Sequence, residues 1–149
     1  MPAHAELKIL SIRAAEIVAA SPQFAASQNQ MKTEFEKRKA DLEAEARKFA
    51  EDTQKFRREA DVMSSDARAK AEKDLQTRRI DIDYKQRQFG EDFQKRDREL
   101  SESLMNSIKQ VVVEIATEQG ADMVVQDPVF AAPGVDVTDL VIKRLQGGK

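Results

Sequence analysis

Cysteine and tryptophan are absent from the 149 residues, so the chain has neither a disulfide frame nor thiolate chemistry, and its redox compartment stays open. The single histidine, His4, sits in the first residues. With no glycine-rich phosphate loop and no metal-ligand spacing elsewhere, the sequence reads as a non-enzyme that needs no cofactor. No apolar run approaches membrane-spanning length. Met1-Pro2-Ala3-His4-Ala5 also lacks the charged start and apolar stretch of a signal peptide, which implies either a cytoplasmic protein or one already processed. The net charge of −2 is not the basic excess of a nucleic-acid binder. With 35% charged and 5% aromatic residues, the chain is poor material for one large core.

What the chain does have is a long stretch, 24 to 115, without proline and with Gly90 as its only glycine. Its large apolar residues keep heptad spacing: Phe35, Leu42, Phe49, Phe56 and Met63, then Leu75, Ile82 and Phe89. A seven-residue repeat keeps one seam turned toward a partner helix. Between the runs, Asp61-Val62-Met63-Ser64-Ser65-Asp66 loses the register, which predicts an antiparallel helical hairpin with its tip near 62–66. Facing residues in such a hairpin have position numbers of constant sum. Phe56/Leu75, Phe49/Ile82, Leu42/Phe89 and Met31/Leu100 all add to 131. Both arms break the heptad with a four-residue step, Met31 to Phe35 and Phe89 to Phe93, at matching heights. Glu34/Arg38, Glu43/Arg47, Glu51/Lys55, Asp81/Lys85 and Glu91/Lys95 are expected to support the helices as i,i+4 ion pairs.

The chain ends read differently. Strands are expected at Leu7–Ile12, Ala121–Gln126 and Val129–Ala132, with a short helix from Ala14 to Ala20 and a last helix from Asp136 to Leu145. Ser21-Pro22 is a start signal for the first arm, Gly120 a helix stop and Pro133-Gly134 a turn. Three short strands leave open edges, which copies of the same chain can cover in a shared sheet or barrel. The expected division is 7–23 with 107–146 as an oligomerisation body, and 24–106 as the hairpin.

In that order, LKILSI, a capped long helix, a charged hairpin, GADMVVQD, PVFAA and VDVTDLVIKRL, the chain resembles the Skp (OmpH-like) family of periplasmic chaperones from Leu7 to Leu145. The resemblance implies an α+β fold: a coiled-coil tentacle, the long antiparallel hairpin, projecting from a small β-barrel body shared by a homotrimer. It also implies periplasmic location with the signal peptide removed, and ATP-independent holding of unfolded outer-membrane proteins in a cavity between tentacles. A lipopolysaccharide or anionic-lipid patch proposed for the family maps onto Lys85, Lys95 and Arg96, with Ser107 a weaker fourth position. Ordinary solvated helix charges are the competing reading of those residues.

Client contact is expected at apolar residues off the seam, Ile80 and Tyr84, and at the tip, Val62 and Met63. The family's tentacles are strongly basic, whereas here 31–106 is neutral; 55–79 keeps eight basic against five acidic residues. Lys55, Arg57, Arg58, Arg78 and Arg79 within it would attract acidic segments over roughly 8–10 Å. Gly90 is a candidate flexing point. The alternatives are a structural coiled-coil spacer and a cytoplasmic prefoldin-like holdase.

Overall fold

A computed structural model describes residues 6–148, so His4 lies outside the described residues. In chain order the elements are β1 (Ile9–Ile12), α1 (Ala14–Ala20), α2 (Pro22–Glu59), a 3-10 turn (Ala60–Val62), α3 (Ser65–Glu118), β2 (Met123–Gln126) and α4 (Thr138–Leu145). The protein is mostly helical with a small two-stranded sheet. It divides into a terminal unit, 1–29 with 98–149, and a hairpin unit, 30–97.

The terminal unit has a closed core. Leu10 and Ile12 from β1, Ile17 from α1, Leu104, Ile108, Val112 and Ile115 from α3, and Val137, Val141 and Leu145 near and within α4 are all buried together. The steps of three and four residues along α3 set that stripe on one helix face. β1 and β2 pair in parallel, Ile9 opposite Met123 through Ile12 opposite Gln126. Gly120 ends α3 as expected, in a left-handed conformation (φ 65°) that lets Ala121 N–H reach the Ala116 carbonyl at 2.8 Å. Ser21 starts α2 as its sequence suggests: the hydroxyl accepts the Phe24 N–H at 3.3 Å and donates to the Val18 carbonyl at 2.8 Å.

The expected third strand is corrected. Residues 129–132 take no regular structure, and Val129 and Phe130 stand exposed. Its place on the free side of β1 is taken by 135–137: Ser11 N–H donates to the Val135 carbonyl, and the Ser11 carbonyl accepts from Val137 N–H, both at 2.9 Å. That contact is a single bridge at Asp136, because Thr138 turns at once into α4. Thr138 is fully buried, and its hydroxyl accepts the Arg13 N–H at 2.9 Å. The same hydroxyl beside Asp136 holds that carboxyl below its ordinary range, against the opposing effect of burial.

In the hairpin unit the seam is thin. Met31, Phe35 and Ile82 are buried, while Leu42, Phe49, Phe56, Leu75 and Phe89 are half-buried. The two four-residue steps meet in a ring cluster: Phe35 packs edge-on against Phe89 (5.7 Å) and Phe93 (5.2 Å). At the tip, Ser64 caps α3 by accepting the Ala67 N–H at 3.2 Å, and Arg68 closes the turn on the Ala60 carbonyl at 2.9 Å. α3 runs unbroken through Gly90.

Candidate functional site

Among the described residues no cluster of acidic groups or histidines is arranged to hold a metal, and no helix is long and apolar enough to cross a membrane. The features that present themselves to a partner include a polar ladder, scattered exposed apolar side chains and an apolar groove in the terminal unit.

The ladder runs along one edge of the hairpin unit. Arg96 meets Glu34 at 3.1 Å, Arg38 meets Asp92 at 2.7 Å, Lys85 meets Glu45 at 3.0 Å and Arg78 meets Asp52 at 2.8 Å. In all four the position numbers add to 130, one less than the sum expected for the seam. That offset is what residues flanking a coiled-coil seam require. One expected helix-surface pair is thereby redirected, since Glu34 bonds across the hairpin with Arg96 and Arg38 with Asp92. Asp81 and Lys85 do pair within α3, at 2.9 Å. The hydrogen bonds from Arg78 and then Lys48 hold the Asp52 carboxyl below its usual range. Those to Asp81 and then Glu45 raise Lys85 above the usual lysine value. Arg38 lies over the Phe89 ring and Arg78 over Phe49, each at 5.6 Å, so the ladder also shields the half-buried seam.

The residues singled out for lipid contact therefore part company. Lys85 and Arg96 belong to the ladder, each already facing a carboxylate, whereas Lys95 is exposed beside it. Of the residues singled out for client contact, Val62 is 88% exposed at the tip, Ile80 63% and Tyr84 56%; Met63 is half-buried. Tyr84 lines a shallow groove together with the ladder residues Arg38, Glu45 and Lys85 and with Asp41, Leu42 and Gln88. Lys55, Arg57, Arg58 and Arg79 are exposed, and Arg78 is half-buried in the ladder. Where Gly90 would carry a Cβ there is open space.

Phe93, placed at the seam by its spacing, does pack on Phe35 at 5.2 Å yet stays 41% exposed, whereas sequence reasoning missed the exposure of Val129 and Phe130, taken for strand. It also missed the groove of about 540 Å3 in the terminal unit, lined by Val18, Met105, Ile108, Val112, Val113, Ala121, Met123 and Val124 among others. This groove borders β2, which among the described residues pairs only with β1, so its outer edge has no strand partner there. Exposed Met105 and Val113 were signals for it, because each interrupts an otherwise polar helix face, and exposed Met123 lies on the apolar β2 beside them.

The class of protein is thus one that combines a long helical hairpin with a small α/β unit built from segments near both ends of the sequence. A sequence model of the family "Outer membrane protein (OmpH-like)" matches residues 8–145, and the chain belongs to that family. Among solved structures it is similar to a Caulobacter crescentus CB15 protein whose description, an outer membrane chaperone (OmpH-like), is provisional. The two share the fold at a TM-score of 0.84 and 15% identity, covering 97% of this chain and 87% of that one. No curated protein gives a significant match.

Proposed function

We propose that the protein is an ATP-independent holdase chaperone of the periplasm that keeps unfolded outer-membrane proteins from aggregating. Three copies would join through their terminal units in a small β-barrel and hold the client in a cavity between hairpins. The observation that carries this reading is the exposure of Val62, Ile80, Tyr84 and Phe93 on a hairpin that is otherwise charged. Side chains spaced so widely offer many weak, renewable contacts, which suits a non-native chain better than a folded partner of fixed shape. Membership of the OmpH-like family and the likeness to a structure described as an outer membrane chaperone support it.

Self-association is supported by the terminal unit. A β2 edge unpaired among the described residues, an apolar groove beside it and, separately, exposed Phe130 are apolar or open features that copies of the chain can cover. On this reading Lys55, Arg57, Arg58, Arg78 and Arg79 draw in acidic client segments, and Gly90 lets the hairpin bend. Lipid phosphates at Lys85, Lys95 and Arg96 would compete with Glu45 and Glu34 for two of the three cations.

The test is dilution of a urea-unfolded outer-membrane barrel protein into buffer with and without the chaperone, in the absence of nucleotide. Suppressed light scattering, together with a solution mass of three chains, is the expected result. Unchanged aggregation would favour the spacer reading.

A further inference from the structure

The two edges of the hairpin unit are not alike. On one, the ladder satisfies facing charges. On the other, the flanking positions that face each other are Lys39/Phe93, Ala46/Gln86, Thr53/Arg79 and Ala60/Glu72, and none of these is a pair of opposite charges. A groove of about 210 Å3 opens there, lined by Lys39, Leu42, Glu43, Ala46, Gln86 and Phe89. The small Ala46 leaves the seam side chains reachable, and the open place at Gly90 does the same beside Phe93. Lys39 is drawn to Glu43 at 4.0 Å, whereas Arg79 is exposed and takes part in none of the ion pairs among the described residues.

Resting on the holdase reading, we propose that this ladder-free edge reads short sequence patterns in the client. The Leu42–Phe89 groove takes one large apolar side chain of an extended segment, and Arg79 takes a carboxylate about three residues away. The spacing follows from geometry. Seven helical residues from Gln86 to Arg79 rise about 10 Å, and three residues of a chain extended in the polyproline-II form cover about 9 Å while returning to the same side, so that both side chains face the edge. The opposite edge cannot do this, because a client carboxylate there would have to displace Asp52 from Arg78. An aromatic or branched side chain fits the groove, while a basic residue at the second position would meet the uncompensated guanidinium.

The test uses the full chain and fluorescent ten-residue peptides that differ only in a Phe-x-x-Asp, Phe-x-x-Asn or Ala-x-x-Asp core, with binding read by anisotropy. Loss of the phenyl group should weaken binding about tenfold, as removal of a partly buried aromatic side chain does. Asp to Asn should weaken it about threefold, as an exposed ion pair allows. Arg79→Gln should abolish the Asp/Asn preference and leave the Phe/Ala preference intact. The double variant A46E/Q86K puts opposite charges at facing positions without changing net charge, and should weaken all three peptides. Helicity by circular dichroism checks that it folds. Wild-type binding without Phe or Asp preference, an Asp/Asn preference that survives Arg79→Gln, or full affinity in A46E/Q86K would each overturn the inference. The barrel-protein aggregation assay separates the two levels. If the wild-type chain fails to suppress aggregation, the holdase reading falls. If A46E/Q86K suppresses it as well as wild type, only the edge is wrong.

Discussion

The terminal unit and the hairpin unit are held together by different physics. In the terminal unit Ile17, Ile115 and Val141 are completely buried at the centre of a cluster of ten buried residues to which they belong. In the hairpin unit most seam residues are half-buried, and four cross-hairpin ion pairs supplement a thin line of apolar contact. A well-filled core is intolerant of lost volume, whereas a seam of this kind bends, frays and answers to salt and pH. The difference suits a fixed junction in the first case and a yielding surface in the second.

The comparison is easiest to break in the core. Ile115→Ala should cost about 2–5 kcal/mol through lost burial and the cavity left behind, read as a drop in Tm and loss of the assembled mass. A change within the mutational noise would mean that the terminal unit is not the rigid part. Gly90→Ala should act with the opposite sign, stabilising the helix by about 1 kcal/mol, since no neighbour obstructs the added methyl. If it also leaves the spread of hairpin conformations in small-angle scattering unaltered, Gly90 is not a flexing point.

Solution conditions should give the smallest effects and sharpen the contrast. Asp52 and Glu118 have depressed carboxyl pKa values owing first to Arg78 and Arg144 respectively, and Asp136 owing first to the Thr138 hydroxyl. A depressed pKa adds stability above the unfolded value of about 4, and that stability is lost as the pH falls through the folded value. Lys85 is raised by Asp81 and then Glu45. Its contribution is complete below the unfolded value of about 10.4 and is lost as the pH rises through the folded one. Helicity of the hairpin should therefore be flat between these limits and fall on both sides. High salt should loosen amide-exchange protection in 30–97 while sparing the buried stripe of α3 in the terminal unit. Equal loss in both regions would refute the division of labour.

Much of the hairpin was legible because a seven-residue period states its own partner. The tip at Ser64, the ring cluster at the two four-residue steps and the register to within one position all follow from where phenylalanine and leucine recur. The charges were read less well. Glu34 and Arg38 satisfy the i,i+4 rule, yet both also flank the seam, where a partner across the hairpin competes with one along the helix. The third strand failed for another reason. Val129 and Phe130 have strand-forming side chains, but they do not pair with the open edge of β2, and 135–137 already occupies β1. Local preference carries no information about which edge is vacant. The likeness to the Caulobacter protein at 15% identity makes the same point from the other side, since period and punctuation outlast the residues themselves.

A seam that repeats every seven residues is indifferent to sliding by seven, so phenylalanine and leucine alone would let the hairpin close in several wrong alignments. The ladder removes that freedom. Slipped one heptad in one direction, Arg38 would confront Lys85; slipped in the other, Glu45 would confront Asp92. Each error sets like charges against each other and breaks correct pairs. A nascent chain folding alone at its tip thus carries its own proofreading, written in the order of three charges, Arg38, Glu45 and Asp52, along a single helix.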